Sequence, residues 1–122
     1  MRSIAVQENV IEKKSFSFAV RIVKLYRFMT KHEKEYVLSK QLLRCGTSIG
    51  ANVSEAQRAQ SMADFHAKMS IALKEANETL YWIELLFQTE YLSDRQYDSL
   101  KKDVLELLRI LMSICKSSNG EY

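Results

Sequence analysis

QLLRCGTSIGANVSE, residues 41–55, sets two glycines, a threonine, a serine and an asparagine into a stretch whose neighbours call for a helix. Gly46 and Gly50 should each cost a helix about 1 kcal/mol relative to alanine, so either the chain breaks here or another helix packs unusually close. Leu38, Leu42, Cys45, Ile49 and Ala56 keep helical spacing through the segment, which favours close packing. The alternative left open by local propensity is a loop at 46–53, which would give an irregular five-helix domain.

Outward from this segment the composition supports helices. The chain has 122 residues, enough for one domain, with no proline and only three glycines, so the turn chemistry that joins many short strands is nearly missing. With 47% hydrophobic and 27% charged residues it reads as ordered and soluble. No apolar run approaches the roughly 20 residues that span a bilayer, so no membrane association is expected. Glu8 and Glu12 interrupt the N-terminal stretch where a signal peptide needs an apolar run, and a cytoplasmic location is the resulting expectation. Cys45 and Cys115 fall at apolar helix positions and read as buried reduced thiols.

Apolar periodicity predicts four helices, over 15–31, 36–58, 64–90 and 94–116, between an N-terminal tail at 1–14 and a C-terminal tail at 118–122. In the first, Ser15 reads as an N-cap for a stripe of Phe18, Ile22, Leu25 and Met29. In the third, Phe65, Met69, Ala72, Ala76, Leu80, Ile83 and Phe87 alternate steps of four and three, with Ser61 or Asp64 as cap. Ser93 and Gln96 form a capping-box pair ahead of Tyr97, Leu100, Val104, Leu107, Leu111 and Ile114. Short connections make the expected fold all-α, an antiparallel up-down-up-down four-helix bundle over 15–117. From Leu80 to Phe87 the apolar surface covers almost the whole helix circumference. Tyr81, Trp82 and Leu85 are therefore the expected oligomer interface, the plainer reading being a broad core with an exposed aromatic.

The pattern carries no catalytic constellation. His32 and His66 are preceded at three residues by Met29 and Ala63, where a di-iron bundle needs glutamate, and two separated cysteines do not make a zinc site. No lysine and hydroxyl pair follows Gly50 as in a phosphate-binding P-loop. No enzyme activity, metal or cofactor is expected. Two polar groupings remain. Ser48, Asn52 and Glu55 share one face of the second helix, and Lys68, Glu75 and Glu78 one face of the third; the expectation is a structural network across the bundle.

The other grouping is basic. Residues 1–44 carry a balance of +6 and the remainder −3, and no acidic residue lies between Lys13 and His32. Lys14, Arg21, Lys24, Arg27 and Lys31 fall within about 140° on the side of the first helix opposite Ile22 and Met29. Such a face attracts phosphate, and Phe28 among the charges could stack on a base or fill a protomer contact. A solvated helix face is the plainer reading.

QLLRCGTSIGANVSEA, followed by DFHAKMSIALKEANETLYWIELL at 64–86, resembles the four-helix-bundle proteins encoded in intervening sequences of bacterial 23S ribosomal RNA. The pattern rests on Arg44, Gly46, Ser48, Ile49, Asn52, Glu55 and Ala56, with a weaker echo in SFSFAVRIVKLY at 15–26. The resemblance implies that 46–53 is helical and that the protein forms a homo-oligomer, a pentameric ring. A related bundle is the accessory protein of diversity-generating retroelements, where it associates with nucleic acid and a reverse transcriptase. The family has no established enzymatic activity. The functional expectation is a non-enzymatic oligomeric bundle that binds RNA or DNA through the basic face; the alternative is a protein-interaction scaffold or accessory subunit with a protein partner.

Overall fold

The computed structural model describes residues 4–118 and folds them into α1 (Ile4–Lys31), α2 (Leu38–Ala56), α3 (Met62–Gln88) and α4 (Asp94–Ser118). Each helix packs on its neighbour in sequence and α4 returns to α1, which closes the expected antiparallel four-helix bundle. The α1–α4 pairing is the sparsest of the four. Ile22, Ile49, Met69, Ile83 and Leu111 are among the side chains with no exposure at the centre of the bundle.

The first helix begins at Ile4 rather than at Ser15, so residues 4–14 are helical where a tail was expected. The buried stripe continues backwards through Ser15, Ile11 and Gln7 at steps of four, and this burial outweighs the polar composition of the segment. Ser15 is consequently no cap: it is buried mid-helix, and its hydroxyl donates to the Glu12 carbonyl at 3.3 Å. Of the expected C-terminal tail, Ser118 is the last helical residue and 119–122 lie outside the described residues.

α2 is one continuous helix, and α1 is the neighbour that its small residues admit. A Cβ on Gly46 would stand 3.0 Å from both γ carbons of Ile22, and one on Gly50 would stand 3.2 Å from the Ser15 backbone oxygen. Carbon atoms normally rest at about 3.5–4.0 Å, so both positions are closed to a larger residue unless α1 moves. The close-packing expectation therefore holds, and the 46–53 loop does not form.

Caps set the helix ends. The Glu35 carboxylate accepts from the backbone N–H groups of Val37, Leu38 and Ser39 at 3.1, 2.8 and 2.8 Å, and the Ser39 hydroxyl donates to the Glu35 carbonyl at 2.9 Å. This satisfies three otherwise unpaired donors at the start of α2. Ser61 caps α3 by accepting from Asp64 N–H at 3.0 Å. Ser93 and Gln96 exchange bonds of 3.1 and 2.9 Å in the expected capping box. α3 ends in a left-handed Glu90 (φ 68°), with Glu90 N–H on Phe87 O at 3.0 Å and Tyr91 N–H on Leu86 O at 2.9 Å. That is a Schellman closure with glutamate where glycine is usual. Among the described residues no helix is long and apolar enough to cross a membrane.

Candidate nucleic-acid interface

Because α1 buries the stripe through Ile22 and Met29, its opposite side faces solvent. Lys24, Arg27 and Lys31 stand exposed there, and none of the three forms an ion pair with another described residue. Lys14 and Arg21 turn towards α4 instead. Lys14 Nζ lies 3.2 Å from Glu106 Oε1; Arg21 donates from Nη1 to Asp103 Oδ2 and from Nη2 to Ser99 Oγ, both at 2.7 Å. The expected five-residue stripe thus divides into three open cations and two engaged ones. The carboxylates that engage them come from 82 and 92 residues further along the chain, out of reach of a reading of α1 alone. These pairs are partly exposed, so each contributes at most about 1 kcal/mol.

Lys13 was not among the expected contacts, although it lies eleven residues before Lys24, three helical turns along the same face. It is exposed and lines, with Ser17, Arg21 and Asp103, a cleft of about 370 Å³ between α1 and α4. At the other end of α1, Phe28 is 40% exposed and its ring centroid lies 5.0 Å from that of His32. The outer face is also apolar in part: Phe16 is 69% exposed and Val20 41%.

The polar residues of α2 and α3 do not join as one network. Glu75 and Glu78 converge on Arg44, with Arg44 Nη1 at 3.4 Å from Glu75 and Nη2 bonded to Glu78. Trp82 Nε1 donates to the same Glu78 carboxylate at 3.1 Å. Lys68 pairs within its own helix with Asp64 at 3.6 Å, Asn52 donates to the Ser48 carbonyl at 2.9 Å, and Glu55 is exposed. Arg44, the residue that ties the helices together here, was missed as a partner although it is the first residue of the family-like motif. Tyr81 is 58% exposed and meets Trp82 edge to face at 5.1 Å, whereas Trp82 and Leu85 are half-buried. On α3 and α4, Tyr97 donates to Glu84 at 2.5 Å and Lys101 donates to the Tyr97 oxygen at 3.0 Å.

Burial pushes both thiols, Cys45 and Cys115, above the usual range, which keeps them protonated and weakly nucleophilic. Among the described residues no three His, Cys, Asp or Glu side chains cluster closely enough to hold a metal ion.

The bundle has a close counterpart of known structure. A crystal structure of a protein of unknown function from the S23 ribosomal protein family of Bacteroides thetaiotaomicron VPI-5482 is similar at 57% identity, covering 90% of this chain and 98% of that one, with a TM-score of 0.89. A search of curated proteins finds no match. The family model described as 23S rRNA-intervening sequence protein matches residues 7–113, a span that takes in most of the extended α1, the glycine-bearing α2, and α3 with most of α4. On that match the chain belongs to the 23S rRNA-intervening sequence protein family.

Proposed function

We propose that this protein is a non-enzymatic, self-associating four-helix bundle that binds RNA or DNA electrostatically through the outer face of α1. The observation that carries the proposal is the set of open cations Lys24, Arg27 and Lys31 on one exposed helix face, with no carboxylate engaging them among the described residues. Cations on such a face displace the counterions condensed on a phosphate chain, and Lys14 and Arg21 add to it only if they leave Glu106 and Asp103. Repetition of the face around a homo-oligomer, a pentamer in the family's pattern, multiplies a weak contact into useful avidity. No reacting group is assigned.

The test is binding of a structured RNA across a salt series. Replacing Lys24, Arg27 and Lys31 together by glutamine should weaken binding and reduce the slope of log affinity against log salt by about two to three. Absent or salt-insensitive binding by the native chain refutes the proposal. A protein-interaction scaffold is the second reading, favoured by exposed Phe16 and Val20 on the same helix face. Pull-downs with and without nuclease separate the two, since only a direct protein partner survives the nuclease.

A further inference from the structure

Between the C-terminal half of α1 and the first turns of α4 lies a cavity of about 230 Å³ lined by Arg21, Lys24, Leu25, Phe28, Gln96 and Leu100. It falls below the roughly 300–1,000 Å³ typical of small-molecule sites, and its walls combine an aromatic ring, aliphatic carbon and positive charge. We infer that this cavity seats one unpaired nucleotide, with the base on the Phe28 ring and the flanking phosphates on Lys24 and Lys31. The inference rests on the nucleic-acid reading of α1 and narrows it from phosphate chains in general to single-stranded segments.

Several features favour a base over other occupants. Phe28 stays exposed beside Leu25, and its contact with His32 extends the aromatic surface along the helix towards Lys31. Gln96 uses Oε1 to accept from Ser93 N–H at 2.9 Å, a bond of the capping box that fixes the amide. Its Nε2 has no hydrogen-bond partner among the described residues and supplies a donor for a base carbonyl. Arg21 is held by Asp103 and Ser99 at 2.7 Å each, which makes it a rigid wall of the cavity. Lys24 is uncommitted and provides charge complementarity for phosphate at the rim. A duplex cannot use the pocket, because its bases are stacked and paired. A single strand can, because every base presents a π face.

The test uses the full chain, a ten-residue oligouridylate as single strand and a blunt GC-rich RNA duplex. Phe28→Ala should lower affinity for the single strand by about five- to a hundred-fold, the range for loss of one base–aromatic stack, and lower the ratio of single-strand to duplex affinity with it. The salt slope for the single strand should not change, since no charge is removed. Phe28→Trp should restore the ratio, which shows that the ring and not the fold of the variant is being read. An unchanged ratio in Phe28→Ala, or native binding confined to duplex, overturns the pocket and leaves the electrostatic proposal standing. No salt-dependent binding of either RNA by the native chain overturns both.

Discussion

Gly46→Ala offers a test of the α1–α2 contact in which the sign of the effect depends on one neighbouring side chain. Removing a glycine from a helix interior gains about 1 kcal/mol in propensity. Against this, the new Cβ would lie 3.0 Å from Ile22 Cγ1 and Cγ2, and overpacking of that kind costs about 1–3 kcal/mol. Ile22 has no exposure and meets the new atom with both branches of its β-branched side chain, Cγ1 and Cγ2, so turning one branch away brings no relief from the other. The net expectation is a loss of up to about 2 kcal/mol in the native background. In an Ile22→Ala background, itself costing about 2–5 kcal/mol, the obstructing carbons are gone. There Gly46→Ala should stabilise by about 1 kcal/mol, a coupling of about 2 kcal/mol between the sites. Ile22→Val keeps both γ carbons and should give no such reversal. Urea unfolding followed by helical circular dichroism reads the four corners of the cycle and the valine control. A stabilising Gly46→Ala in the native chain, or the same shift in all three backgrounds, would falsify the close-packing account.

Other expectations follow from the caps and charges. Gly50→Ala meets the Ser15 backbone oxygen at 3.2 Å, so truncating the Ser15 side chain by Ser15→Ala should not rescue it in thermal melts. Glu35→Gln should destabilise the fold by about 1–2 kcal/mol in urea titrations, because three backbone donors lose a charged acceptor. Burial acts to raise the Glu35 pKa, but bonds from the Ser39, Leu38 and Val37 N–H groups outweigh it and leave the group below the usual carboxylate range. Its contribution is therefore full above the unfolded-state pKa and disappears as pH falls through the lowered folded value; a Glu35→Gln penalty that persists undiminished in strong acid would contradict this. Glu90→Gly should raise stability by about 1 kcal/mol, seen as a higher melting temperature, because φ 68° suits glycine. Asp103→Asn should free Arg21 and steepen the salt dependence of RNA binding by about one unit of slope; an unchanged slope would show that Arg21 does not reach phosphate.

The number of helices, their order and most of the core were legible because the apolar steps through α3 and α4 are regular. The Ser93–Gln96 box could be read from two residues because capping is local. The start of α1 could not. Residues 4–14 are polar enough to look like a tail, and what holds them is burial of Ile11 and Gln7 against other helices, a tertiary effect. The same limit governs the candidate site. A helix wheel places Lys14 and Arg21 beside Lys24, but only the packing of α4 brings Glu106 and Asp103 to the first two and not to the third. Arg44 pairs across helices for a related reason: Glu75 and Glu78 are visible as a face of α3, yet their partner is fixed by how α2 lies on it.

The sparse α1–α4 pairing also bears on the order in which the molecule assembles. α1 with α2, α2 with α3, and α3 with α4 meet through short connections and at low loop-closure entropy, whereas the last closure joins residues such as Arg21 and Asp103, 82 apart in sequence. Hairpin by hairpin condensation followed by docking of the two outer helices is the route this topology favours, and with no proline in the chain no isomerisation step delays it. The seam that closes last is also the one along which the nucleotide pocket lies, so the pocket belongs to the completed bundle and to no earlier folding intermediate.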